Sequence, residues 1–147
     1  MQIDRVIAKG QLVNFVFGQT DVAAGQTAVA LSPMAIRDTT ANASYKNDAL
    51  GYTQAFDFEI VSISVNASAA RTAGTLTVDA TIDGTVTGLQ ATLNATTTNN
   101  AKGTAPRRLY RGSAGSYIGC KISTPSWTPT TADIVVTVQA IVFLDGI

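Results

Sequence analysis

The chain contains no histidine and only one cysteine, Cys120. Without histidine it lacks the usual general base near neutral pH and the commonest transition-metal ligand. Ser–His–Asp and Cys–His nucleophilic arrangements are excluded, and no zinc site of familiar type can be assembled. A lone cysteine forms no internal disulfide, which fits folding in a reducing cytoplasm. Charge is scarce too: 14% of residues are Asp, Glu, Lys or Arg, against about 25% in an ordinary soluble domain. Ten basic and ten acidic residues cancel, so no net field steers the chain towards nucleic acid or a membrane. No apolar run approaches the roughly 20 residues of a membrane span. The opening Met1 to Val6 has no basic flank followed by an apolar core, and reads as no secretory signal.

What is present is a two-residue period. At 147 residues the chain suits one domain over residues 1–147, long enough to bury a core without disulfides or metal. Hydrophobic residues make up 46%, and Thr, Ser and Asn take the place of charge on the polar strand faces. A surface of that kind suits a protein packed among other subunits. A sandwich whose solvent face is Thr-rich because Thr favours strands gives the same composition.

Leu12 to Phe17 reads as a first strand, ended by Gly18, and Thr27 to Leu31 as a second, closed by Ser32-Pro33. Ile36 to Ala49 reads as a long polar loop. Phe56, Phe58 and Ile60 share one face of the clearest run; after Ile60 the phase slips, and Val61, Ile63 and Val65 carry the apolar side. One inserted residue with a change of face marks a β-bulge or a strand crossing between sheets. Leu76, Val78, Ala80 and Ile82 alternate with polar residues up to Asp83-Gly84, a tight-hairpin signal because both central residues of that turn need positive φ. Leu89, Ala91 and Leu93 line the returning strand.

The polar tract Thr96 to Thr104 reads as a mobile loop, Arg107 to Tyr110 as a short strand, and Ile118 to Ile122 as another. Pro125 and Pro129 bracket Trp127. The last run places Ile134, Val136, Val138, Ala140, Val142 and Leu144 on one side; its other side also turns apolar, through Val135, Ile141 and Phe143. No 3.6-residue stripe persists. The pattern predicts an all-β protein of eight or nine strands and essentially no helix, an antiparallel two-sheet β-sandwich of jelly-roll type. An immunoglobulin-like Greek key lacks its Cys…Trp…Cys spacing here.

Few residues offer chemistry. Asp57, Glu59 and Asp79 form the one carboxylate group a glycosidase or a calcium site could use; the plainer reading makes Asp57 and Glu59 outward, solvated residues. Arg107, Arg108 and Arg111 flank Leu109 and Tyr110. They suit carboxylates of a neighbouring subunit, a charged guard on an edge strand, or a nucleic-acid backbone. Tyr117 and Trp127 could stack on a sugar, while a tryptophan between prolines also suits a plug over the sandwich end. Cys120, between Ile118 and Ile122, reads as a buried inert thiol.

The order of parts from Phe56 to Leu144 resembles small β-sandwich structural proteins of tailed bacteriophages. It runs Glu59-Ile-Val-Ser-Ile-Ser-Val, Gly74-Thr-Leu-Thr-Val-Asp-Ala-Thr-Ile-Asp-Gly-Thr, Arg108-Leu-Tyr, Ser116-Tyr-Ile-Gly-Cys-Lys-Ile-Ser-Thr and Trp127-Thr-Pro-Thr-Thr-Ala-Asp-Ile-Val-Val-Thr-Val. Those proteins serve as head decoration (cement) proteins or as collar and fibre modules. The resemblance implies a non-enzymatic virion protein without cofactor or metal, made in the host cytoplasm. It would bind major capsid protein on the outer capsid surface, often as a homotrimer. Leu12, Val16, Arg107, Arg108, Arg111, Val135, Ile141 and Phe143 are the expected subunit-interface residues. Residues 1–33 either close the sandwich or reach a neighbour as an arm. The alternative function is a collar, fibre or adhesin module that binds host-surface glycans through Tyr117 and Trp127.

Overall fold

The computed structural model describes residues 10–33 and 51–144. Eleven strands are seen among them: β1 (Gly10–Gln19), β2 (Gln26–Ala30), β3 (Ser32–Pro33), β4 (Tyr52–Thr53), β5 (Phe58–Ala67), β6 (Leu76–Ile82), β7 (Thr85–Leu93), β8 (Asn100–Thr104), β9 (Tyr110–Gly112), β10 (Tyr117–Thr124) and β11 (Ile134–Phe143). The excess over the expected eight or nine comes from β3, β4 and β9, which have two or three residues each. The loop expected over Ile36–Ala49 lies outside the described residues.

The strands form two antiparallel sheets. The first has the order β3-β1-β11-β5-β8 with β9 also on β5; the second has β2-β10-β6-β7 with β4 on β10. The pairs β1·β11, β2·β10, β5·β8 (continued by β9) and β6·β7 nest inside one another. A long antiparallel ribbon with the β6–β7 hairpin at its tip has rolled up, which is the jelly-roll winding. Residues 10–33 supply strands to both sheets.

Alternation decides which side chains meet between the sheets. Phe15 and Phe17 of β1, Ile63 and Val65 of β5, and Val136, Val138 and Ala140 of β11 face Val78, Ala80, Ala91, Leu93, Ile118 and Ile122; all are buried. Tyr52 packs on Phe15 and Phe17 at ring-centroid distances of 5.2 and 5.4 Å and donates its hydroxyl to Val16 O at 2.9 Å. Leu12 is exposed rather than buried, so it belongs to the outer face.

The phase slip after Ile60 is a bulge. Ser62 pairs with Gln139 and Ile60 with Ala140, leaving Val61 without a partner on β11. Its effect on the outer edge is larger. β8 pairs with Asn66 to Ser62, β9 pairs with Ile60 to Phe58, and the chain between them must leave the ladder beside the bulge. Residues 105–109 therefore form a turn that folds over the outer face.

Two expectations fail here. The Thr96–Thr104 tract is not wholly a loop, because Asn100–Thr104 is β8. Polar side chains do not prevent the backbone from pairing with β5, and Gly103 lets this edge strand close on the second sheet: a Cβ there would lie 2.0 Å from Gln90 O. The short strand read over Arg107–Tyr110 begins only at Tyr110, since Arg107 and Arg108 belong to the turn. The Asp83-Gly84 hairpin stands as read, with φ of 52° and 77°.

Candidate interaction surface

Four large hydrophobic residues are markedly exposed among the described residues: Leu12 (57%), Leu109 (56%), Val86 (49%) and Val135 (47%). Leu12 and Val135 stand on the outer face of the β1–β11–β5 sheet, and Leu109 on the turn that covers it.

Antiparallel register arranges this face in rows. Arg111, Glu59, Ile141 and Leu12 are lateral neighbours on β9, β5, β11 and β1, and Phe143 pairs with Gly10 just beyond. The middle row is polar: Ser62 donates to Gln139 Oε1 at 2.6 Å, and Gln139 Nε2 donates to Asn14 Oδ1 at 2.9 Å. Past it come Val16, Thr137, Ser64 and Lys102, then Gly18, Val135, Asn66 and Asn100. The hydrogen-bonded row divides the face into two ends. Leu12, Ile141, Phe143, Arg107, Arg108 and Arg111 gather at one end; Val16 and Val135 lie at the other.

Glu59 organises the first end. Alternation points it outward, as expected, but the 105–109 turn closes over it and leaves it 1% exposed. It is not a solvated residue. It pairs with Arg107 Nε and accepts the Arg108 backbone N–H at 3.1 Å. Arg107 thus finds a carboxylate inside its own chain, while its guanidinium remains largely exposed. Arg108 sits at φ 69°, a left-handed conformation that costs an L residue roughly 1–2 kcal/mol. The charge-assisted hydrogen bond to Glu59 offsets that cost. Arg111 lies over the Phe143 ring at 5.5 Å, a cation–π contact. Beside it, Ala55, Phe56, Asp57, Arg111, Ala114 and Phe143 line a hollow of about 310 Å³, and Asp57 Oδ1 accepts Ala114 N–H at 2.9 Å.

Glu59→Ala removes both bonds to the turn, and charge-assisted bonds contribute about 1.5–3 kcal/mol each at most. A net loss on the order of 2 kcal/mol is expected in urea unfolding, with increased protease cleavage after Arg107 or Arg108. An unchanged midpoint with an intact turn would show that Glu59 does not hold it.

The other expected chemistry disperses. Glu59 is on the first sheet and Asp79 on β6 of the second, where Gln90 Nε2 and Gly88 N–H bond its carboxylate; the carboxylates do not converge. Among the described residues no three His, Cys, Asp or Glu side chains come together as a metal site would require. Trp127 is fully buried, and its Nε1 donates to Pro129 O at 2.9 Å. It is the plug, so it cannot stack on a sugar as the adhesin alternative needed. Cys120 is buried, and its thiol pKa is pushed well above the usual thiol range, first by desolvation and then by the nearby Asp79 carboxylate. The native thiol should react with a disulfide reagent at pH 8 only as fast as the protein opens. Rapid stoichiometric labelling would contradict its burial.

Sequence reasoning placed Glu59 on the correct face but missed its part in the surface. The signal lay in the phase slip at Val61, which tells that the neighbouring edge must break there.

No family model matches this chain, and no curated protein matches it. Among solved structures it is similar to a chain of the acidic stable capsid structure of Helicobacter pylori bacteriophage KHP30. Identity is 9%, the match covers 90% of this chain and 93% of that one, and the TM-score is 0.48. It is also similar to a chain of the cyanophage Pam1 capsid asymmetric unit, at 11% identity, covering 93% and 87%, with a TM-score of 0.43. At such scores the likeness carries no argument about function.

Proposed function

We propose that this chain is a non-enzymatic virion structural protein of a tailed bacteriophage, a decoration protein that binds major capsid subunits on the outer head surface and stabilises the shell. The observation that supports it most is the gathering of apolar and arginine side chains at one end of the outer face of the β1–β11–β5 sheet. Phe143, Ile141 and Leu12 supply apolar area there, and arginine forks at its rim suit carboxylates of a partner. The low charge, the lack of histidine and the resemblance of the Phe56–Leu144 tract agree with it. In this reading the protein acts as a homotrimer, is made in the host cytoplasm and needs no cofactor.

The glycan-binding alternative has lost Trp127 and retains only Tyr117. Copy number in purified particles separates the readings. A decoration protein is present in hundreds of copies, released or retained with the shell. A handful of copies, with glycan binding lost on Tyr117→Ala, would replace the capsid role by a collar or fibre one.

A further inference from the structure

The turn between β8 and β9 is fixed at several points although most of it stands in solvent. Val61, left without a partner on β11 by the bulge, accepts the Ala105 N–H at 2.9 Å, and Pro106 O accepts the Leu109 N–H at 3.4 Å. Buried Glu59 uses both carboxylate oxygens from below, one on Arg107 Nε and one on the Arg108 N–H at 3.1 Å. Pro106, Arg107, Arg108 and Leu109 are nevertheless all exposed. A turn that only joined two strands would need no buried anion, because water satisfies the donors of an exposed turn.

Arg108 is the informative residue. It takes the third place of the Pro106–Leu109 turn at φ 69°, where a type II turn favours glycine because glycine enters positive φ without steric cost. An arginine there keeps a strained backbone and gains a guanidinium at the tip. Strain of this kind is found at binding and switch segments. Leu109 follows, a large apolar side chain 56% exposed. The charges around it are one-sided. Glu59 is covered and already bonded, and Asp57 Oδ1 accepts the Ala114 N–H. Among the described residues Arg108 and Arg111 have no ion-pair partner, and Arg111 rests over the Phe143 ring. The tip therefore offers an apolar knob between unpaired cations, and its complement is an apolar socket with a carboxylate rim. A nucleic-acid backbone would match the cations but leave Leu109 in water, and with zero net charge no overall field draws the chain to a polyanion.

We propose that this turn is the anchor by which the chain grips the shell. Leu109 enters an apolar socket on a capsid subunit, and the Arg108 and Arg111 forks take carboxylates at its rim. Glu59 acts as a positioning residue that holds the turn in its bound shape beforehand. This rests on the assembly reading above and deepens it: within the outer face, this one turn carries most of the affinity, as central apolar and arginine anchors do in other interfaces. Holding the turn before contact removes the cost of ordering it on binding.

The test measures co-sedimentation of the chain with particles that lack it. Leu109→Ala and Arg108→Gly should each weaken binding at least about tenfold, the loss expected of an anchor residue. Both replace exposed side chains, and Arg108→Gly also relieves the backbone strain. Its melting temperature should hold or rise while its binding falls, whereas a merely structural residue would lose both together. Raising NaCl from about 50 to about 500 mM should weaken the native chain several-fold and the Arg108→Gly chain less. Glu59→Gln keeps the size and loses the charge. It should weaken binding several-fold in the native chain and less in the Arg108→Gly chain, because Glu59 acts through the arginine turn. Native-like binding by the Leu109→Ala and Arg108→Gly chains overturns the proposal and leaves the assembly reading standing. A native chain that binds no particles overturns both. Equal losses from Glu59→Gln in the two backgrounds would remove its positioning role, and release of the bound chain by a thymidine oligonucleotide would replace the carboxylate rim by phosphate; either outcome overturns the proposal as stated.

Discussion

Trp127→Ala is expected to lower stability by about 3–5 kcal/mol, the range for removing a large aromatic from a core. Its side chain is fully buried at the end of the sandwich, with Val22, Leu31 and Ala132 in the same cluster. Truncation opens a void that rigid neighbours cannot fill and leaves Pro129 O without the indole donor. The loop around it ties three segments together. Thr128 N–H bonds Ala73 O, Thr72 N–H bonds Thr128 O, and Val22 N–H bonds Ala132 O, at 3.1, 3.0 and 2.9 Å. For a chain of this size each kcal/mol is worth about 2–4 °C, so a melting temperature roughly 10–15 °C lower is expected by calorimetry. A fall of only a degree or two would mean that the tryptophan does not seal the core.

Gly74→Ala attacks the same corner from the other side. Gly74 adopts φ +72°, and a Cβ there would lie 1.6 Å from Ser126 O and 2.8 Å from Trp127 N. Those are backbone atoms on the tryptophan loop, so no side chain can swing aside. The left-handed conformation costs alanine roughly 1–2 kcal/mol, and displacing packed backbone adds about 1–3 kcal/mol by the measure of overpacked cores. A loss of about 2–5 kcal/mol is expected from denaturant midpoints. Gly115, also at positive φ but with nothing near its Cβ, is the control: its alanine variant should show only the conformational part. Equal losses at both positions would show that steric overlap at Gly74 contributes nothing.

Much of this fold is legible in the sequence because strand alternation is a local property. Val78, Ala80, Val136, Val138 and Ala140 face inward as their spacing requires, and Asp83-Gly84 turns as its φ demands. Even Trp127 as a plug follows from its two flanking prolines. What escapes is set at long range. β8 has no apolar alternation to announce it; it is a strand because β5 offers its backbone a ladder and Gly103 allows close approach. Glu59 looks like any outward carboxylate, and only the turn from 48 residues downstream buries it. That turn exists because Val61 breaks the ladder. The candidate surface is thus half visible: its strand residues Leu12, Ile141 and Phe143 follow from two-residue spacing, while the joining of Arg107 and Arg108 to them depends on a bulge and a crossing edge.

Val86 supplies an internal comparison for the surface, since it is equally exposed but lies on the β6–β7 hairpin of the second sheet. Hydroxyl-radical footprinting of the free chain and of the chain on purified particles therefore tests the proposed assembly face directly. Leu12, Leu109, Ile141 and Phe143 should lose several-fold reactivity on particles while Val86 keeps its own. Protection confined to Val86 and its hairpin, with Leu12 and Leu109 as reactive as in the free chain, would contradict assembly through the β1–β11–β5 face.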